Sequence, residues 1–150
     1  MSNLDKNNLM APVARSGKYN DPDMLVCGQQ GISTIECKTH FFAWALVAAP
    51  ILISLDITSS TLDPAVLAIV SAPEVVTIVS QDAGHVQGVR VSAPNPTGGE
   101  CWAKPLVGNN SSVSTTPLSV AALLINRADS VTADHRPSTT TEGFRREFDS

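Results

Sequence analysis

Two carboxylates stand two residues apart in the run Tyr19-Asn20-Asp21-Pro22-Asp23-Met24-Leu25, directly ahead of the apolar stretch Met24-Leu25-Val26. Pro22 fixes its own φ and pushes Asp21 out of the helical region. Both acids are therefore held in extended or turn geometry, where alternation aims them roughly the same way. Acids gathered at the end of a strand are common in active sites, and a pair of them is the material of acid/base work. The same residues suit a solvated turn equally well, because Asn, Asp and Pro form turns for local reasons. The remaining reactive side chains are scattered. Cys27, Cys37 and Cys101 show no C-x-x-C spacing, and His40, His85 and His135 form no ligand set. The odd cysteine count leaves at least one unpaired, and all three read as small buried hydrophobes.

The elements that must position Asp21 and Asp23 follow in chain order. Residues 1–16 are polar and without periodicity, which predicts an unstructured lead. Met24-Leu25-Val26-Cys27, closed by Gly28, reads as a strand buried on both faces, as in a parallel sheet. Ser33-x-x-Glu36 is a capping box and predicts a helix from about Thr34 to Ala49, ended by Pro50. Its expected buried face carries Ile35, Phe42, Leu46 and Ala49, with Glu36 and Lys38 off it. Trp44 falls mid-helix on the buried pattern, and Trp102 also reads as core. Ile51-Leu52-Ile53-Ser54-Leu55 is the next buried strand. Thr58 to Thr61 is a turn, and Leu62 to Val70 a helix with Asp63 complementing its dipole and Pro64 in its first turn. Val75 to Val79 is rich in β-branched residues and has strand propensity. Strand, helix, strand, helix makes a parallel βαβ unit the natural architecture.

After Gly88 the texture changes. Val89-Arg90-Val91 alternates, Pro94 to Gly99 is a loop, Glu100 to Leu106 carries Trp102, and Leu118 to Ile125 is a strand ending at Asn126-Arg127. Short strands between Gly, Pro and Ser turns read as an antiparallel unit. Gly108-Asn109-Asn110-Ser111-Ser112 is a polar tip holding overlapping glycosylation sequons at Asn109 and Asn110. From Ala128 on, Ser, Thr, Arg and Asp dominate without period, which predicts a disordered tail.

The run from Lys18 to Val26, followed by Thr39-His40-Phe41-Phe42-Ala43-Trp44-Ala45-Leu46 and Ala49-Pro50-Ile51-Leu52-Ile53, resembles the family 27 α-galactosidases. The resemblance continues through Pro73-Glu74-Val75-Val76, Ser80-Gln81-Asp82 and Gln87-Gly88. It resumes at Glu100-Cys101-Trp102-Ala103-Lys104-Pro105-Leu106 and Ile125-Asn126-Arg127, covering about Gly17 to Arg127. These are retaining glycoside hydrolases with a (β/α)8 barrel followed by an antiparallel β domain. The resemblance implies an α/β fold holding the last βαβα portion of a TIM barrel over 17–88 and the start of the β domain over 89–127. It also implies a short helix, not a strand, near Val75.

By the same resemblance Asp23 is the carboxylate that hydrogen-bonds the galactose hydroxyls, and Met24 packs near the sugar. A carboxylate suits this role, because it accepts from two hydroxyls at once with charge-assisted bonds. Asp21 would orient the loop, and Tyr19 takes the place of the family's Trp. Retaining hydrolysis needs two carboxyls about 5–5.5 Å apart. The family draws one from a Lys-Tyr-Asp run and the other from an Asp on the sixth-strand loop. Neither run is present: Lys18-Tyr19-Asn20 has Asn20 where the first would need Asp. No catalytic residue is therefore assigned, and the chain alone is expected to be inactive. Ser80-Gln81-Asp82-Ala83-Gly84-His85 also departs from the family's Asn-Gln-Asp-Pro-Leu-Gly.

A (β/α)8 barrel takes about 250 residues and this chain has 150, so at most the final portion of one is present. Hydrophobic residues make up 43% and charged residues 16%, the balance of a globular piece. A net charge of −4 without clustered Lys or Arg argues against nucleic acid or anionic membrane partners. No segment reaches spanning length, and the start shows no signal pattern. The resemblance implies an α-galactoside substrate, no cofactor, a lysosomal or secreted location and a homodimer in the full-length family. Two other readings stay open: a non-catalytic galactose-binding or scaffold module, and a degenerate gene product with no stable fold.

Overall fold

The computed structural model describes residues 2–58, 62–80, 86–106 and 119–128. The chain begins with helix α1, Ser2–Leu9, and a short 3-10 turn at Ala11–Val13. The unstructured lead expected over 1–16 is corrected here, since Leu4 is fully buried in the core. The sequence hid this helix because it presents a single core side chain. Its other inward groups are polar, and polar residues carry no hydrophobic period.

Helix α2, Thr34–Leu46, starts as the capping box requires. The Glu36 N–H donates to Ser33 Oγ at 3.2 Å, and the Glu36 carboxylate accepts from the Ser33 N–H at 2.8 Å. The helix stops short of Ala49, because Ala48 turns into the left-handed region at φ 55°. Its buried face is Cys37, Phe41, Trp44 and Ala45, joined by Ala43 and Leu46. The expected face is corrected at Ile35, which is 79% exposed, while Leu46 and Ala49 are buried as expected and Phe42 is half-buried. Glu36 and Lys38 are exposed as expected.

Cys27 and Cys37 form a disulfide with Cα atoms 4.4 Å apart, and both are buried. The reading of all three cysteines as unbonded hydrophobes is corrected for this pair, while Cys101 is free. The fold brings the loop after Cys27 back onto the first turn of α2, a closure that residue spacing does not announce.

The two expected parallel strands meet in one parallel bridge, Leu25 with Ile53. Burial on both faces is corrected: Leu25 lies in the core, but Met24 and Leu52 are exposed. Ser54 Oγ donates to the Leu25 carbonyl beside the bridge. Helix α3, Pro64–Val70, is capped by Asp63, whose carboxylate accepts from the Ala65 N–H at 2.8 Å. Helix α4, Pro73–Ser80, occupies the segment whose propensity favours a strand. Pro73 and Glu74 sit in its first turn, where both are favoured, and Val75 is buried against the core.

Strands β1 (Val89–Ser92), β2 (Gly99–Leu106) and β3 (Ser119–Asn126) form an antiparallel sheet in that order. The β2–β3 register runs from Gly99 opposite Asn126 to Leu106 opposite Ser119. Trp102 and Ile125 of this sheet share one core with Phe41, Trp44 and Leu25. The link from helices to sheet is tight. The Gly88 N–H donates to the Leu46 carbonyl at 2.9 Å, and a Cβ on Gly88 would lie 2.5 Å from that oxygen.

Among the described residues no helix is long and apolar enough to cross a membrane. Residues 59–61 of the expected turn, the 81–85 exit segment, the polar tip with both sequons and the tail from 129 lie outside the described residues.

Candidate functional site

Asp23 takes an uncommon backbone conformation, φ 91°, which an L side chain adopts only when its surroundings impose it. Three groups impose it. Its N–H donates to Asp21 Oδ1 at 2.9 Å, an Asx turn across Pro22. Its carbonyl accepts from the indole N–H of Trp44 at 2.8 Å. Its own Oδ1 accepts from the Met24 N–H at 2.7 Å. Asp21 therefore orients the loop, as the resemblance implies.

The second carboxylate oxygen of Asp23 meets α1. Asn3 Nδ2 donates to Oδ2 at 3.1 Å. Helix α1 is tied in turn to the rest of the fold by polar contacts along its length. Gln87 Nε2 donates to Asn7 Oδ1 at 2.6 Å and to the Asn7 carbonyl at 3.0 Å, with both residues buried. Asn20 Nδ2 donates to Gln87 Oε1 at 2.7 Å, so the acidic run is tied to the same pair. Asn8 Oδ1 accepts from the Arg90 N–H at 2.8 Å.

Asp5 completes this anchorage as part of a four-residue ion network. Arg127 donates to both Asp5 oxygens at 2.8 Å, and its Nε donates to Glu100 Oε1 at 2.8 Å. Arg90 donates to Asp5 at 2.8 Å and approaches Glu100 Oε2 at 3.4 Å. The Glu100 side chain is wholly buried, and the Trp102 indole N–H donates to it at 2.8 Å. Hydrogen bonds from Arg127, helped by the charges of Arg127 and Arg90, hold the Asp5 carboxyl below its ordinary range against the opposing effect of burial. The Arg127 guanidinium is correspondingly raised.

Asp23 and Met24 open onto a groove of about 1000 Å³ that runs between α2 and the end of β3. Val26, Ile32, Ala43 and Trp44 give it an apolar wall, and Asn3, Glu36, Thr39 and Arg127 supply polar groups. His40 packs edge-on against Trp44 at 4.0 Å, and burial depresses its pKa, which keeps the imidazole neutral at neutral pH. Its Nε2 is buried without a hydrogen bond among the described residues. No group of three or more His, Cys, Asp or Glu among the described residues is placed to hold a metal ion. The arrangement suits a neutral polyhydroxylated ligand: carboxylate and amide acceptors above an apolar floor.

Of the residues singled out by sequence, Asp23 and Met24 stand together on the groove. Tyr19 is exposed and absent from its lining. Asp82 lies outside the described residues. Sequence reasoning missed Asn3, Gln87 and the Asp5–Glu100–Arg127 cluster. Asn3 and Asp5 have no local signal, because their partners Asp23 and Arg127 lie 20 and 122 residues away in the chain.

A family model described as Alpha galactosidase A matches residues 2–82. An α-galactosidase of Oryza sativa subsp. japonica is 42% identical over 112 residues, 75% of this chain and 26% of that protein. One from Cyamopsis tetragonoloba is 39% identical over 117 residues, 78% of this chain and 25% of that protein. Among solved structures, that of α-galactosidase from Saccharomyces cerevisiae with raffinose superposes with a TM-score of 0.62 at 28% identity. That match covers 69% of this chain and 24% of the yeast chain. The chain thus spans about a quarter of the length of the curated relatives it matches.

Proposed function

The chain belongs to the alpha galactosidase A family, and from that premise we propose that it carries part of the galactose-binding surface of an α-galactoside hydrolase. Asp23 accepts hydrogen bonds from ring hydroxyls, and Met24 packs against the sugar. The observation that carries this reading is the Asp23 carboxylate fixed at the mouth of a 1000 Å³ groove, with lone pairs left over after its bonds to Asn3 and Met24.

In the proposed architecture, the Leu25–Ile53 bridge with α2 between its two segments is the last βαβ portion of a (β/α)8 barrel. The antiparallel sheet then begins the following domain. A right-handed βαβ crossover places sites at the carboxyl ends of its strands. Retaining hydrolysis needs a nucleophile and an acid/base carboxyl about 5–5.5 Å apart. The resemblance assigns neither to a residue of this chain. The chain alone therefore binds sugar without cleaving it, and hydrolysis belongs to an assembly that adds both carboxyls. The buried Cys27–Cys37 disulfide supports an oxidising compartment, in line with a secreted or lysosomal setting.

The test is a titration of the 15N-labelled chain with D-galactose, followed through the amides of Asp23, Met24 and Ala43. Saturable shifts in the millimolar range, absent in Asp23→Ala, are expected. A flat response in the wild-type chain overturns the reading. Turnover of p-nitrophenyl α-galactoside by the purified chain overturns its non-catalytic part.

A further inference from the structure

The Asp23 carboxylate has one oxygen directed by its own chain and one directed by a helix 20 residues earlier. Oδ1 is held by the adjacent Met24 N–H, a bond that travels with the loop. Oδ2 is held by Asn3, and that bond is what relates the carboxylate to the rest of the fold. Asn3 is only half-buried and lines the groove, and its side chain makes no other hydrogen bond among the described residues. With Asp23 it also lines a second cavity of about 500 Å³, shared with Asn7, Asn20 and Asp21. Asp23 thus borders two open spaces. Without a donor from α1, no hydrogen bond of the loop itself holds Oδ2 among the described residues.

Helix α1 is built to hold Asn3 still. Leu4 beside it is fully buried, Asp5 is clamped by Arg90 and Arg127, and Asn7 is bonded to buried Gln87. A residue on an eight-residue helix would otherwise fray, since isolated helices of that length are marginal in water. We propose that Asn3 is a positioning residue for sugar recognition: its amide N–H aims the Asp23 carboxylate into the groove. The proposal deepens the reading of Asp23 as the sugar ligand and rests on it. An amide suits the task because it supplies a donor without a charge. It adds no charge beside the carboxylate and leaves its remaining lone pairs available to hydroxyls.

The experiment compares the full 150-residue wild-type chain with Asn3→Ala and Asn3→Asp, using D-galactose as the probe. Asn3→Ala removes the donor and is expected to weaken binding about ten- to a hundredfold, the effect of one hydrogen bond to a charged group. Asn3→Asp keeps the shape but sets two carboxylates against each other. Binding should be lost at neutral pH and return on acidification, as the pair takes up a shared proton. A merely structural role would not produce that pH dependence. Asn3→Ala binding as tightly as wild type, or an Asn3→Asp defect that pH does not relieve, overturns the proposal. A second readout stands apart from galactose. The 13C carboxyl resonance of Asp23 and the Met24 amide should move in Asn3→Ala, while the thermal midpoint holds. Unmoved resonances overturn the positioning role. If wild type ignores galactose while these resonances do move, it is the sugar assignment that fails.

Discussion

Asp5 and Arg127 lie 122 residues apart in the chain and are joined by two hydrogen bonds of 2.8 Å. The pair closes the fold, because Asp5 belongs to the first helix and Arg127 follows the last strand. Arg127 also covers Glu100, whose side chain has no exposed surface. Among the described residues, removing Arg127 therefore leaves a buried carboxylate with Arg90 at 3.4 Å and the Trp102 indole for partners. Breaking such a pair from one side costs roughly 3–5 kcal/mol. Arg127→Ala is expected to lower the unfolding free energy extrapolated from urea titration by an amount in that range. Asp5→Ala should cost less, because Asp5 is partly exposed and solvent takes its place around Arg127.

The same pair fixes a pH dependence. The folded-state pKa of Asp5 lies below its ordinary value of 3.8, chiefly because of the Arg127 hydrogen bonds. A carboxyl depressed on folding contributes stability that is full above its unfolded pKa and lost as the pH falls through its folded pKa. Unfolding free energy should therefore be insensitive to this group at neutral pH and decline below about pH 4. In Asp5→Asn that acid slope should be shallower. Denaturant titrations at several acid pH values, wild type against variant, measure it.

Gly28 and Gly88 should not tolerate alanine, for different reasons. Gly28 has φ 79°, and an added Cβ would meet Leu55 Cδ2 at 2.3 Å and Val66 Cγ1 at 2.9 Å. Those are side-chain ends and can shift, so the left-handed backbone, at about 1–2 kcal/mol, should dominate. Gly88 has ordinary backbone, but its Cβ would press on the Leu46 carbonyl at 2.5 Å. That oxygen also accepts the Gly88 N–H. Gly88→Ala should therefore cost more than Gly28→Ala and should pry the sheet from α2. Thermal unfolding, with Trp44 and Trp102 fluorescence as the probe, would show the order.

Reduction of the Cys27–Cys37 disulfide should lower stability by about 2–3 kcal/mol, the loop-closure value for a separation of 10 residues. Thiol titration in denaturant should count one reactive cysteine before reduction and three after. In the native state Cys101 should react slowly, because burial raises its thiol pKa. Equal thiol counts before and after reduction would refute the pairing.

Sequence was most legible where local chemistry decides. The Ser33–Glu36 box, the Asp63 cap with Pro64 and the three antiparallel strands each have signals within a few residues. It was least legible where distant groups decide. Helix α1 depends on one apolar side chain and on Asp5 and Asn7, which find partners 80 to 122 residues away. The buried face of α2 was misread because its many apolar residues allow several stripes, and the disulfide and sheet choose among them. The Asp23–Met24 pair was visible in sequence as an acidic turn. Its left-handed φ and its bonds to Asn3 and Trp44 were not.

The solitary rung between Leu25 and Ile53 governs how the chain behaves in a test tube. A ladder that stops after one pair presents bare flanks, here beside exposed Leu52 and Ile57. Crowded solutions should therefore turn cloudy before their circular dichroism changes, and a lysine at position 52 should delay the clouding. Colloidal behaviour, and not unfolding, would then set the working concentration.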